Sequence, residues 1–338
     1  MGIIVNKPGL LSTFQDLGRY GFQYLGVSVT GAMDTLAHQM ANRIVGNHRD
    51  HASLEMTLIG PQLTFTAPCC ITLSGGDMQA TLDDKRLVVN RPYIVRRGQI
   101  LNTQPTQIGA RTYLAVYGGF AIEPIMHSES TDLRSKFGGW HGRALQKEDV
   151  IAIHQPLPDD ESVLNAIEIL LWQTQLYLSR ELNIPSPHRQ TLRVIKSNQW
   201  ADFTDDSLHH FLKSSWRVST QSERMGYRLE GPQLRLSHPK QMLSEVASFG
   251  TIQVPADGQP IILMADRQST GGYPKIATVA QVDLPTLAQR KPGDKFMFEI
   301  IDLNEARHLD RLRQTAIETV AEPLQPAYAI LRKTLNKI

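Results

Sequence analysis

Much of the chain alternates polar and apolar residues with a period of two. Residues 62–66 and 79–82 alternate in this way, the second run leading into the turn Asp83-Asp84. Residues 112–117 form a further apolar run that stops at Gly118-Gly119, and 150–153 follows a charged turn. In the second half, 192–195, 251–254, 261–264 and 295–298 repeat the style. Short runs at this density, punctuated by Gly, Pro and Asp, predict a mainly β protein built of barrels or sandwiches. Helical periodicity is rarer. Asp34 is placed to cap a helix over 35–45, with the stripe Leu36, Met40 and Ile44, and Gly46 stops it. A second helix is expected over 162–182, followed by a linker at Ile184-Pro185-Ser186-Pro187. A short helix at 208–212 and an amphipathic one at 309–321 complete the set.

Two stretches echo each other. Gly60-Pro61-Gln62-Leu63 recurs as Gly231-Pro232-Gln233-Leu234, each expected to lead into a strand. Asp149 and Asp294 both precede an apolar strand, and 71–77 loosely resembles 261–266. Three features in one order favour two related β domains. The expected division is 1–158, a helical linker or insertion over 159–188, a second domain over 189–305, and a helical tail over 306–338.

Length and composition narrow the function. The chain has 338 residues, enough for two domains. Its 35 basic and 33 acidic residues leave a formal charge of +2, without the basic footprint of a nucleic-acid binder. The adjacent Cys69 and Cys70 close no useful loop and lack the spaced partners of a zinc site, so they read as small buried residues of one strand. The window 163–178 is broken by Glu168, Gln173 and Gln175, so no membrane span is expected. A cytoplasmic protein is the expectation.

Three polar clusters carry the candidate chemistry. The first runs from Thr13 through Asp16, Arg19 and Gly31 to Asp34, glycine-rich and without helical period, as in a shaped loop. Asp16 and Arg19 can pair, or Arg19 can grip an anion through its planar fork. The second, 222–231, alternates Glu223, Arg224, Arg228 and Glu230, which either pair with one another on a solvated strand or supply a substrate-binding arginine. In the third, an apolar strand runs into Asp266-Arg267-Gln268-Ser269-Thr270-Gly271-Gly272-Tyr273. Its glycines suit an anion nest or a turn of positive φ. A pocket is favoured there, because turns seldom need so many polar side chains. No phosphate-binding loop, G-x-S-x-G elbow or H-E-x-x-H motif occurs. His209 and His210 are adjacent, not a helical turn apart, so no metal is expected, and His38 is expected to be exposed. No Ala-Met-Lys-Met sequence occurs, so any biotin involved is carried by another protein.

These clusters resemble the carboxyltransferase (allophanate hydrolase subunit 2-like) family. Residues 9–19, Gly31-Ala32-Met33-Asp34, 41–47 and Leu54-Glu55 carry the resemblance in the first half. Residues 224–231, 250–255, Asp266-Arg267-Gln268, Gly271-Gly272-Tyr273-Pro274 and Pro292-Gly293-Asp294 carry it in the second. The chain departs from the pattern at Ser244-Glu245-Val246-Ala247, at Ser269, and at Glu129, where an arginine is usual.

The resemblance implies two tandem cyclophilin-like β-barrels, and a component of an ATP-dependent 5-oxoprolinase that opens 5-oxo-L-proline to L-glutamate. It implies a B-type partner (allophanate hydrolase subunit 1-like) and an A-type one, with ATP bound largely by a partner. Half of a biotin-dependent, urea carboxylase-like carboxyltransferase is the alternative enzyme. A non-enzymatic regulator resembling the sporulation-kinase antagonist is the alternative outside enzymes. For a lactam opening, Asp16, Arg19, Glu55, Asp266 and Gln268 are the candidate catalytic residues. Arg224, Tyr227, Arg267, Thr270, Gly271, Gly272 and Tyr273 are the candidate substrate-binding ones.

Overall fold

The computed structural model describes residues 2–176, 178, 179, 182, 190–240 and 242–335. The fold is mainly β, with six α-helices among these residues: α1 (Thr35–Val45), α2 (Glu161–Gln173), α3 (Asp205–Lys213), α4 (Leu284–Ala288), α5 (Leu303–Thr319) and α6 (Gln325–Leu335). The chain divides into two compact units, and the division is not a simple cut. One unit comprises Met1–Gly18, Asp34–Ile184 and Gln314–Ile338; the other comprises Arg19–Met33 and Pro185–Arg313.

The first unit holds β1 (Gly2–Lys7), β2 (Leu11–Gln15), β3 (Ser53–Thr57), β4 (Gln62–Phe65), β5 (Cys69–Asp77), β6 (Thr81–Leu82), β7 (Lys85–Arg86), β8 (Pro92–Val95), β9 (Ile100–Asn102), β10 (Ile108–Val116) and β11 (Val150–Ala152). They form a six-stranded sheet, β11-β1-β4-β9-β6-β7, and a five-stranded sheet, β2-β3-β10-β5-β8. Both sheets contribute to one core through Val5, Leu63, Leu54, Met56, Leu114 and Val116. Alternation along a strand turns their neighbours, such as Ser53, Glu55 and Tyr113, to the opposite face. Helix α1 packs there, across β3, β10 and β5. Cys69 and Cys70 lie on β5, buried and unpaired, and burial pushes the Cys70 thiol up to about 12.

Asp34 caps α1, its carboxylate accepting from the Ala37 N–H at 2.9 Å, and Gly46 ends it with φ 89°. Nine of the eleven residues of α1 are buried, so His38 is enclosed and not exposed as expected. From α6, Tyr328 donates to the Ile44 carbonyl at 2.6 Å and stacks on Tyr117. Helix α2 is shorter than expected: Thr174 turns extended and its hydroxyl donates to the Leu170 carbonyl at 2.9 Å. The linker expected at 184–187 lies outside the described residues. Helix α5 begins earlier than expected, because the Asp302 carboxylate accepts the N–H groups of Asn304 and Glu305.

The second unit holds β12 (Thr191–Lys196), β13 (Trp216–Val218), β14 (Gly226–Glu230), β15 (Glu245–Val246), β16 (Thr251–Gln253), β17 (Ile261–Leu263), β18 (Thr270–Gly271), β19 (Lys275–Val279) and β20 (Lys295–Ile300). Seven of them close into a barrel in the order β12-β19-β16-β17-β14-β13-β20, and β15 and β18 form a separate ribbon. The closing pair, β12 with β20, is parallel. Trp216, Tyr227, Ile252, Ile262 and Phe296 fill the interior, joined by Met33 from the early segment of the chain. Of the two echoing stretches, Gln62-Leu63 opens the ladder strand β4. Gln233-Leu234 leads only to an isolated bridge between Phe203 and Leu236, so the expected strand does not form.

A Cβ on Gly46 would stand 3.0 Å from the Tyr328 ring, at a φ that L side chains rarely adopt. The substitution Gly46→Ala is expected to cost about 2 kcal/mol of stability, from backbone strain and overpacking together. Guanidinium denaturation measures it, and an unchanged midpoint would contradict this packing.

Candidate functional site

The sequence-predicted residues separate into two environments. In the first unit, Asp16 is buried just after β2. Its carboxylate accepts from the Ser128 hydroxyl at 2.9 Å, the Ser130 hydroxyl at 2.5 Å, the Glu129 N–H at 2.7 Å and the Gly18 N–H at 2.8 Å. Three of these donors converge on Oδ1 and one on Oδ2, an arrangement that suits a clamp tying the segment after β2 to residues 128–130. Glu129 puts its own carboxylate on the Ala52 N–H at 2.8 Å, and burial pushes its pKa up.

Glu55 is similarly enclosed. Tyr113 donates to Glu55 at 2.6 Å and accepts from the Asp34 N–H at 2.7 Å, while Arg111 Nε lies 3.8 Å from the Glu55 carboxylate. Tyr113 faces Glu55 directly across β10 and β3, and burial, with Glu55 adding, holds its phenol far above its ordinary range. His38 meets the Ser53 hydroxyl at 2.7 Å, and burial lowers its pKa to about 4 against the pull of Asp16 and Glu55. This polar layer between α1 and its sheet supports the fold.

In the second unit, Arg224 pairs with Asp266 through two hydrogen bonds of 2.9 Å, and its Nη2 also donates to the Gly31 carbonyl at 2.7 Å. Arg19 is fully buried and donates to the Thr30 hydroxyl at 3.3 Å. Arg267 directs its guanidinium at the carbonyls of Ala247, Met264 and Ala265 and lies over the Phe249 ring, and burial lowers its pKa. Tyr227 points into the barrel, its hydroxyl donating toward the Arg290 carbonyl at 3.3 Å. Glu230 pairs with Arg217, so the four alternating charges of 222–231 do not pair only among themselves.

The remaining candidates come together. Gln268, Thr270, Gly271, Gly272 and Tyr273 all line one cleft of about 550 Å³. Its floor is the outer face of β14, β17 and β16. Arg228 stands opposite Ile261, and Ile261 opposite Gln253, so these three form one cross-strand row. All three line the cleft, as does Glu223 at its edge. Tyr273 is 52% exposed, its ring available to a ligand. Neither Gly271 nor Gly272 has positive φ, so they form neither the turn nor the left-handed nest expected of them. A Cβ at Gly271 would stand 2.4 Å from Gln253 Nε2, so the glycine leaves room for that amide.

Sequence reasoning does not single out Gln253. Its one signal is its place on the outward phase of a barrel strand, where an apolar neighbour on either side faces the core. A second cleft of about 590 Å³ contains Lys240 and Lys275, but these lysines pair with Asp202 and Glu245. Among the described residues no cluster of His, Cys, Asp or Glu suits a metal ion, and no helix is long and apolar enough to cross a membrane.

The fold and its motifs define a carboxyltransferase-type chain. The chain belongs to the carboxyltransferase domain family, subdomains A and B, whose model matches residues 25–300. It is 38% identical to the C-type subunit of the Haemophilus influenzae 5-oxoprolinase over 309 residues, covering 91% of this chain and 94% of the relative. It is 35% identical to the C-type subunit of the Escherichia coli 5-oxoprolinase, covering 93% and 96%. The crystal structure of Kluyveromyces lactis urea carboxylase superposes with a TM-score of 0.84 at 30% identity. That match covers 94% of this chain and 29% of the larger one.

Two outcomes follow from this geometry. Asp266→Ala strands the buried Arg224 and is expected to cost about 3–5 kcal/mol, while the double variant R224M/D266L loses less than the single one. Chemical denaturation of both variants checks it. His38 is neutral in the fold down to about pH 4, whereas in the unfolded chain it binds a proton near 6.5. The unfolded state therefore holds more protons between these values, and stability falls as pH drops from 6.5 to 4, by about 3 kcal/mol from this group. His38→Asn is expected to flatten that part of the stability profile, measured by denaturation across the same pH range.

Proposed function

We propose that the chain is the C-type component of a cytoplasmic, ATP-dependent 5-oxoprolinase, opening 5-oxo-L-proline to L-glutamate with B-type and A-type partners. One observation carries the reading. The match to the C-type 5-oxoprolinase chains runs nearly the whole length of both partners in the comparison, whereas urea carboxylase matches over a minor part of its own length.

The nucleotide is assigned to a partner. Phosphates favour helix N-termini, but here α1, α2, α3 and α5 are capped by their own Asp34, Asp160, Thr204 and Asp302. What this chain supplies is the cleft. Arg228 offers a cation for the substrate carboxylate, and Gln268 and Thr270 offer side-chain hydrogen bonds beside the lactam. The Tyr273 ring offers a wall that excludes water from one face of a small ring. Asp16, Glu55, Arg224 and Asp266 keep their framework roles.

A biotin-dependent carboxyltransferase is the second reading, favoured by the TM-score of 0.84 with urea carboxylase. In that case the cleft takes a ureido ring delivered by another protein.

The purified chain combined with its B-type and A-type partners, ATP and 5-oxo-L-proline is expected to release L-glutamate, followed by a coupled glutamate dehydrogenase assay. No glutamate from a folded, assembled complex overturns the first reading. Transfer of label from carboxybiotin to a urea-like acceptor would support the second.

A further inference from the structure

The floor of the cleft carries a buried polar group whose donor atom is unpaired among the described residues. Gln253 is 5% exposed, and its Nε2 has no hydrogen-bond partner among the described residues. Leaving a buried donor unpaired costs about 1–3 kcal/mol, so a partner must come from elsewhere or the cost is simply borne. Gly271, with no side chain, leaves room for the amide, since a Cβ there would stand 2.4 Å from Nε2, and Ile261 separates Gln253 from Arg228 along the row.

Two strand spacings of about 4.8 Å place the backbones of Gln253 and Arg228 roughly 10 Å apart. Both side chains are long and rise from the same face of the sheet. They stand on either side of Ile261, and both line the cleft. The two ends differ in chemistry. Arg228 is exposed, and no ion pair holds its guanidinium among the described residues. It suits one carboxylate. The neutral Gln253 amide suits a neutral carbonyl oxygen. Glu223 on the rim opposes a second negative charge, which disfavours a polyphosphate on this floor.

We propose that Gln253 is a substrate-binding residue whose amide hydrogen-bonds the ring carbonyl of a small cyclic amide, while Arg228, two strands away, binds the carboxylate of the same molecule. Identifying that molecule as 5-oxo-L-proline rests on the 5-oxoprolinase reading; the pairing of a carbonyl site with a carboxylate site does not.

Two variants and three probes test it. Q253M keeps length and removes the amide; R228Q removes the charge. Binding of 5-oxo-L-proline, of 2-pyrrolidinone (no carboxylate) and of L-proline (no ring carbonyl) is measured by titration calorimetry on the full chain. KM is measured in the assembled complex. Wild type is expected to prefer 5-oxo-L-proline to both truncated probes. Q253M is expected to weaken 5-oxo-L-proline about tenfold and to erase its advantage over L-proline. R228Q is expected to erase its advantage over 2-pyrrolidinone. Thermal stability separates binding from structure: Q253M removes an unpaired polar group, so its melting temperature is expected not to fall.

A complex that releases glutamate with an unchanged KM for Q253M overturns this inference and leaves the proposed function standing. Binding that obeys the pattern in a complex that releases no glutamate does the reverse. A wild-type chain that binds none of the probes overturns the carbonyl-and-carboxylate site, whatever the complex does. A melting temperature that drops for Q253M without a change in probe preference makes Gln253 a structural residue and also overturns it.

Discussion

Closure of the barrel in the second unit is the constraint on which the candidate site depends. Strand β20 pairs in parallel with β12 and antiparallel with β13, which joins the two ends of the sheet. A closed sheet has an inside and an outside, and period-two alternation then assigns every residue to one of them. Tyr227, Ile252 and Ile262 go in; Arg228, Gln253 and Ile261 go out. The in-facing residues hold the barrel shut and, by doing so, fix the spacing of the outward row. The floor of the site is therefore built on strands, and residues 268–273, which include β18, line the rest of it.

The buried charges play a different part. Arg224 with Asp266, and Asp16 with its two serines, are paired within the protein. A group with all its partners supplied has nothing left to offer a ligand. This separates charged residues that look alike in sequence. Arg19, Arg224 and Arg267 are enclosed among hydroxyls, carboxylates and carbonyls, whereas Arg228 opens onto the cleft.

Much of the fold is legible in the sequence because it is written in short-range pattern. The alternation of 62–66, 112–117 and 251–254, and the Asp34 and Gly46 caps, each report local geometry. Part of the third polar cluster, 268–273, lines the cleft, and its signal is an apolar strand that delivers polar side chains; Asp266 and Arg267 of the same cluster are instead paired within the protein. Partner choice across distance is not legible. Asp266 finds Arg224 across 42 residues and Asp16 finds Ser130 across 114, and nothing in spacing announces either. His38 misleads because it lies on the sheet-facing side of α1, where Ser53 and Tyr113 supply a polar layer that the helical pattern alone does not announce. Gln253 escapes notice because an isolated glutamine in an apolar strand has no motif; only the registers of three strands reveal its company.

The interleaving of the two units in sequence has a consequence for how the chain can be cut and made. The barrel includes Met33 in its core and the Gly31 carbonyl on Arg224, although residues 34–184 of the other unit intervene before its first strand begins. The first unit in turn ends with α6 and Tyr328, which follow the whole barrel. A gene split between residues 182 and 190 would not yield two self-sufficient halves: one product would lack the tyrosine that seats on Gly46, the other a residue of its hydrophobic centre. During synthesis the first unit likewise waits, incomplete, until the barrel behind it has been translated.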